Sequence, residues 1–337
     1  MKIKTVEPSW APNVPAQLRA ALAAWFGLNG RDLPWRRTRD PYAIMVSEFM
    51  LQQTQVITVI GFFQRWLERF PTFQALAAAH EAQVLHAWQG LGYYSRARNL
   101  HRAAQLVVSD HGGQLPDDLA AIARLPGVGP YTAGAISSFA FDRATPAVDA
   151  NIARVLARLL DFNAPIDSTL GNARIWQAAQ ELLPKSHGCE HTSALMELGA
   201  LVCLPRRPKC GSCPVRELCL AKTPEQLPVK KARRQTVRLA EDCAWIVEDE
   251  RLLLQQQTGA RWRGLWKLPE LHGAGVGSPL VELNYAFTHH RVTLKVFAQA
   301  VPEKLRPDQR WFTRVALEED AAFASAHLRA VRALLST

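Results

Sequence analysis

The sequence predicts an all-α region followed by a smaller α+β region, and three observations carry that expectation. Apolar residues recur three and four apart from residue 14 to about 220. Four cysteines stand in a tight comb near residue 210, and the texture of the chain changes after Thr223. At 337 residues the chain suits two domains, each large enough for its own core. Hydrophobic residues at 48% and charged residues at 21% are ordinary for a globular protein, and no apolar run approaches a membrane span. The start Met1–Val6 is charged and lacks the apolar core of a signal peptide, so a cytoplasmic location is expected. The net charge of +10 points to a polyanionic partner. Basic residues gather at Arg206, Arg207 and Lys209, and again at Lys230, Lys231, Arg233 and Arg234, where they can neutralise phosphates.

The first helix is written in Leu18, Ala21, Leu22 and Trp25. A second is expected from about Tyr42 to Ile60, with Glu48 on the same face as Ile44, Leu51 and Gln55. A glutamate among apolar neighbours should have a raised pKa, because desolvation disfavours its charged form, and that suits a general acid. Further helices follow in Leu76–Ala79, Val84–Trp88 and Leu100–Val107, punctuated by Pro71, Gly90 and Gly112–Gly113. Between them, Gly90–Leu91–Gly92–Tyr93–Tyr94 joins a flexible turn to a helix carrying Arg96 and Arg98. A tyrosine beside such a turn can enter a base stack while the arginines neutralise backbone charge.

In Leu125–Pro126–Gly127–Val128–Gly129–Pro130–Tyr131 the two glycines permit a tight turn with positive φ. Pro130 is a favoured first-turn residue, so the next helix presents free N–H groups to a phosphate. Asp149 stands where a helix N-cap belongs, a place that stabilises an anion, and it is expected to stay ionised with its pKa moved opposite to that of Glu48.

The comb reads Cys203, six residues, Cys210, two, Cys213, five, Cys219. Four thiolates within one short loop can close on a single metal centre, and the spacing alone leaves zinc and iron–sulfur evenly matched. Thr223–Gln235, with Pro224, Pro228 and its basic residues, has the signature of a linker. Beyond it, Cys243–Val247, Leu252–Gln256 and Arg291–Ala300 read as strands, and Leu317–Leu335 contains helix.

The comb resembles the single cubane [4Fe–4S] loop of the endonuclease III superfamily of DNA glycosylases, and that resemblance selects iron–sulfur, with the four cysteines as ligands. The stretch from Leu125 to Gly134 resembles the helix–hairpin–helix DNA-binding motif, which implies backbone contacts at Gly127 and Gly129. Bifunctional members carry a lysine at the position of Tyr131, where an amine can form a Schiff base. Tyrosine cannot, which implies simple hydrolysis and selects the adenine DNA glycosylase (MutY) family. The segments S-E-x-M-L-Q-Q-T-Q-V from Ser47, G-L-G-Y-Y-x-R-A-R-N-L from Gly90 and V-D-x-N-x-x-R-V from Val148 resemble the same family.

The resemblance implies Glu48 as the essential acid and Asp149 as the carboxylate beside an oxocarbenium-like sugar. It implies Gln53 and Tyr93 as wedges, Arg96, Arg98, Arg206, Arg207 and Lys209 on the DNA, and Trp35 and Arg36 lining an adenine pocket. Relatives often carry Gln or Glu where this chain has Ser193, with Glu197 as an alternative contact or a structural helix residue. Gly264–Leu265–Trp266–Lys267–Leu268–Pro269 resembles a Nudix-like segment, but the metal-binding R-E-x-x-E-E box is missing, so no pyrophosphatase activity is expected. Phe287–Thr288–His289 is similar to the family's F-S-H loop that reads 8-oxoguanine.

The whole implies a helical catalytic domain of two lobes over 1–222, a basic linker over 223–238 and a Nudix-like domain over 239–337. Its expected reaction is monofunctional removal of adenine opposite 8-oxoguanine or guanine in double-stranded DNA, by a monomer carrying a [4Fe–4S] cluster.

Overall fold

The structure, a computed structural model, describes residues 9–232, 235–259, 261–271, 273, 275–319 and 321–336. The start Met1–Val6, the linker pair Arg233 and Arg234, and His272 lie outside the described residues. In chain order the helices are α1 (Val14–Asn29), α2 (Pro41–Leu51), α3 (Val56–Arg69), α4 (Phe73–Ala78), α5 (Glu81–Ala87), α6 (Ser95–His111), α7 (Leu119–Ala123), α8 (Pro130–Phe141), α9 (Ala150–Leu159), α10 (Thr169–Glu181) and α11 (Gly188–Leu201). Strands follow as β1 (Val237–Trp245), β2 (Val247–Glu248), β3 (Arg251–Gln256), β4 (Trp266–Lys267), β5 (Val281–Phe287), β6 (His290–Ala298) and β7 (Gln309–Phe312), then α12 (Arg314–Glu319) and α13 (Ser325–Leu335). An all-α region followed by an α+β region is therefore what the chain forms.

Compactness divides the chain out of sequence order. One unit is Met1–Leu67 with Leu106–Ala232, the other Glu68–Gln105 with Arg233–Thr337. Hydrogen bonds within the second unit give the reason: Tyr94 OH donates to the Phe323 carbonyl at 2.7 Å, and Phe323 N–H donates to Gln89 Oε1 at 2.9 Å.

Side-chain caps start several helices of the first unit. The Asp40 carboxylate accepts from Tyr42 N–H and Ala43 N–H, with Pro41 in the first turn. From Tyr42 to Met50 every residue of α2 is buried, Glu48 included, as befits a helix surrounded by neighbours. It packs on α8, while α1 packs along α11. Leu18 and Leu22 of α1 join Ile152, Leu156, Ile175, Leu195 and Leu198 in one apolar core, with half-buried Cys203, Cys213 and Cys219 against it.

Two sequence expectations are corrected here. The helix foreseen from Tyr42 to Ile60 is broken between α2 and α3, where Gln53 takes a left-handed φ of 57°. The break ends α2 at Leu51, lets the Gln55 carbonyl accept the first bonds of α3 and leaves Gln53 exposed, which periodicity alone could not register. In the α7–α8 hairpin only Gly127 uses positive φ, at 78°; Gly129 is an extended N-cap at −92°.

Glycine matters sterically at Gly134. A Cβ there would stand 2.1 Å from the Pro146 carbonyl oxygen, so α8 runs against the backbone leading to Asp149. Gly134→Ala is expected to cost about 1–3 kcal/mol, the usual penalty of an overpacked core, read as a lowered thermal midpoint.

In the second unit β1 pairs in parallel with β6, and β6 antiparallel with β5; a second sheet has β3 between β2, β4 and β7. Val281, Leu283, Tyr285 and Phe287 alternate with Glu282, Asn284 and Ala286 along β5, the alternation of a half-buried strand.

Candidate active site and cluster loop

A cavity of about 790 Å³ opens in the first unit, within the range of small-ligand sites. Glu48, Tyr131, Asp149, Trp35, Arg36, Gln53 and Ser193 all line it. Residues separated by more than a hundred positions are thus brought to one surface.

Glu48 is 3% exposed. Burial pushes its carboxyl up to about 7; the hydrogen bond from Tyr131 opposes that shift and the Asp149 carboxylate adds to it. Tyr131 OH donates to Glu48 Oε2 at 2.8 Å. Burial, then the negative neighbours Glu48 and Asp149, hold the phenol well above its ordinary range, so it remains a donor at neutral pH.

Asp149 caps α9, its Oδ1 accepting from Ile152 N–H at 2.7 Å and its Oδ2 from Asn151 Nδ2 at 2.9 Å. Its pKa moves up, not down as the capping position suggested. Burial outweighs the N–H groups of Ile152 and Asn151, the Asn151 amide and the Arg154 charge. The two carboxyls therefore differ in the extent of their shift rather than its sign. With its carboxylate already bonded by donors, Asp149 is the first to ionise, and its charge helps keep the proton on Glu48.

Behind Asp149 runs a chain of donors. Arg154 Nη2 donates to Asn151 Oδ1 at 2.9 Å and to the Gly199 carbonyl at 2.8 Å, while its Nε donates to the Cys203 carbonyl at 2.8 Å. Asn151 thereby has both ends of its amide fixed. Sequence reasoning missed that role, although an asparagine two residues after a capping carboxylate was a usable signal.

Glu197, read from the sequence as a structural helix residue or an alternative contact, is fully buried. It accepts from Arg31 N–H at 3.0 Å, Arg31 Nε at 2.6 Å, Arg31 Nη2 at 3.0 Å and Arg36 Nη2 at 2.9 Å. Burial alone would raise its pKa, but the hydrogen bonds of Arg31 and Arg36 win and hold it low. Arg36 is thus fixed at the cavity wall. Trp35 is braced edge-to-face by Phe63, with centroids 5.6 Å apart. Ser193 is buried on α11 one turn from Glu197, and Cys189 lines the wall one turn the other way.

The other candidates stand elsewhere. Arg206, Arg207 and Lys209 are exposed on the cysteine loop. In the second unit Tyr93 is 47% exposed with a left-handed φ of 46°. Arg96, foreseen on a phosphate, is buried and turned inward: its Nη2 donates to the carbonyls of Leu91 at 2.9 Å and Gly92 at 3.2 Å. It holds the turn that carries Tyr93. Arg98 pairs with Glu81 at 2.8 Å. Phe287, Thr288 and His289 form the tip of the β5–β6 hairpin, with Thr288 left-handed at φ 47°.

Among the described residues, the trio with metal-ligand atoms within 4.8 Å of one another is Glu241, Cys243 and His327, in the second unit. The comb sulphurs, in the first unit, feel one another. Burial first, then the neighbouring Cys203, Cys219 and Cys210, push the Cys213 thiol up to about 11. A group of positive irons offsets that repulsion, and Arg158 Nη1 lies 3.2 Å from Cys203 Sγ as a further counter-charge. The donor set fits an iron–sulfur cluster held by Cys203, Cys210, Cys213 and Cys219, which would act as a cross-link for the loop.

Residues 46–178 match the family model for HhH-GPD superfamily base excision DNA repair proteins, and residues 203–219 match that for the iron-sulfur binding domain of endonuclease III. The helical region is thus similar to HhH-GPD proteins over residues 46–178, and its cysteine loop is similar to the iron–sulfur loop of endonuclease III over residues 203–219. The resemblance read from the sequence is borne out further by relatives. Adenine DNA glycosylase of Homo sapiens is 47% identical over 213 residues, covering 60% of this chain and 39% of that protein. That of Mycobacterium tuberculosis (strain CDC 1551 / Oshkosh) is 44% identical over 196 residues, covering 58% and 64%. The chain thus spans less than two thirds of the length of either relative. A thermostable thymine-DNA glycosylase structure aligns with TM-score 0.57 at 29% identity, over 62% of this chain and 96% of that one. A trapped endonuclease III–DNA covalent intermediate aligns with TM-score 0.53 at 25% identity, over 61% and 95%.

Proposed function

We propose that this chain is a monofunctional adenine DNA glycosylase acting in base excision repair on double-stranded DNA in which adenine faces 8-oxoguanine or guanine. The observation that carries the reading is one cavity holding a protonatable Glu48, a capped Asp149 and the Tyr131 phenol that donates to Glu48. Glu48 protonates N7 of an extruded adenine, the C1′–N9 bond breaks, and Asp149 stabilises the positive sugar. Water then adds to C1′ and returns its proton to the Glu48 carboxylate. No amine stands at the Tyr131 position to capture the sugar as a Schiff base. The 239–337 region serves as a Nudix-like reader of the opposing base, through Phe287, Thr288 and His289. Arg206, Arg207 and Lys209 meet phosphates, Gln53 and Tyr93 open the stack, and the enzyme works as a cytoplasmic monomer on the bacterial nucleoid.

Single-turnover base release on a duplex with adenine opposite 8-oxoguanine is the test. Adenine release without borohydride trapping of the DNA is expected. Efficient covalent capture would assign a glycosylase/lyase instead, and no release at all would leave a lesion-binding protein. Replacing a comb cysteine, as in Cys213→Ser, is expected to lower duplex binding and the thermal midpoint more than the rate on bound duplex. A variant that binds normally yet releases nothing would contradict the structural role of the loop.

A further inference from the structure

The second unit contains a stack of groups that base-release chemistry leaves unused. The Arg261 guanidinium lies between two rings, 3.8 Å from the Trp262 centroid and 3.7 Å from that of Phe287. Its Nη2 donates to Tyr285 OH at 2.6 Å, and Tyr285 OH donates to Glu241 Oε2 at 2.6 Å. Glu241 anchors the chain: the Lys267 ammonium lies 3.8 Å from its Oε1 and His327 Nε2 lies 3.4 Å away.

Around Glu241 the neighbours Lys267 and His327 form a seat for its carboxylate rather than a metal site. His327 Nδ1 accepts from Leu268 N–H at 3.4 Å, which leaves the ring proton on Nε2, facing Glu241. The buried Lys267 already supplies the positive charge. The cage is a fixed end for the Tyr285–Arg261 arm.

The free end of that arm is Phe287, the last residue of β5. Its ring also stacks on His290 at 4.7 Å and 13°. Arg261 and His290 thus both lie against Phe287, immediately before the left-handed Thr288. A guanidinium is planar and stacks on both faces at once while keeping an in-plane hydrogen bond. Lysine, a point charge on a flexible stem, cannot do all three.

We propose that Arg261 is a positioning residue for opposing-base specificity, clamping the Phe287 ring and so fixing how the Thr288–His289 turn is presented to the base opposite adenine. This rests on the lesion-reading role proposed above for Phe287, Thr288 and His289. The clamp acts on the turn and leaves the first unit's carboxyls untouched, so it changes discrimination rather than chemistry.

The experiment compares the full-length wild type with Arg261→Lys, Arg261→Ala and Phe287→Ala. Single-turnover rates and duplex affinities are measured with adenine opposite 8-oxoguanine and opposite guanine. The expected result is that both Arg261 variants lose about five- to tenfold of the preference for the 8-oxoguanine duplex, as the loss of a half-buried cation–π contact predicts, while the rate on the guanine duplex stays within twofold. Arg261→Lys retains the charge, so a loss there matching Arg261→Ala assigns the effect to planar stacking, and its thermal midpoint shows that the fold is intact. Unchanged preference in both Arg261 variants, with Phe287→Ala reducing it, would overturn the clamp alone. Unchanged preference in Phe287→Ala, or none in the wild type, would overturn the reading role and the clamp with it.

Discussion

Glu48→Gln is expected to lower adenine release by about 10²–10⁴-fold, the usual contribution of a positioned general acid. Glutamine keeps an oxygen to accept from Tyr131 and nearly the same volume, so the cavity survives and only the transferable proton is lost. In the wild type the same proton sets the pH profile. With Glu48 pushed up to about 7, release should fall as pH rises through about 7, one proton per active site. A companion measurement separates chemistry from misfolding. A carboxyl raised from 4.5 when unfolded to about 7 when folded favours the fold fully below 4.5, and that stability is lost as pH rises through 7. The cost of ionising it in place is on the order of 3 kcal/mol. Glu48→Gln has no such cost, so its thermal midpoint at pH 8 should exceed that of the wild type. Undiminished release by Glu48→Gln would remove this residue from the reaction.

Asp149→Asn should reduce release by about 10²–10³-fold, as the removal of one preorganised charge at a developing cation does elsewhere. Stability should fall by about 1–3 kcal/mol, because Asn151 Nδ2, held by the Arg154 contact to its Oδ1, loses its acceptor. Asparagine is as good an N-cap as aspartate, and its oxygen can still accept from Ile152 N–H. What changes is the side facing Asn151 Nδ2, where an amide now meets an amide and the negative charge is gone. Affinity for the uncleaved duplex should be retained, so the loss belongs in the single-turnover rate. A loss of rate no larger than the loss of folded protein accounts for would instead make Asp149 a structural residue and nothing more.

The parts of the site that were legible in the sequence were those written as local chemistry. Asp149 before a helix, Pro130 opening α8, Gly127 in a turn and four closely spaced thiols each announce themselves over a few residues. Glu48 on an apolar helix face also announced its raised pKa, because two turns of neighbours are enough to show desolvation. The helix break at Gln53 was not legible: residues from 42 to 60 suit one long helix, and only the surrounding packing selects a left-handed residue in its middle. Arg96 was misjudged for the same reason. A basic residue in a basic chain suggests phosphate, yet its partners are the carbonyls of the turn it supports.

The sequence by itself determined the inventory: an all-α region and an α+β region, the comb, the Gly127–Gly129 turn, two carboxylates and the Tyr131 phenol. Those are matters of residue type, spacing and periodicity, which act within a turn or two of chain. Tertiary structure alone decided the relations. It turned the expected opposition of Glu48 and Asp149 into a difference of degree, because both carboxyls share one buried cavity and burial outweighs a helix cap. It made Glu197 the holder of two arginines more than 160 positions away. It also joined Asp149 to the cysteine loop through Asn151 and Arg154. Burial and through-space charge depend on what packs around a group, and no local stretch of sequence contains that neighbourhood.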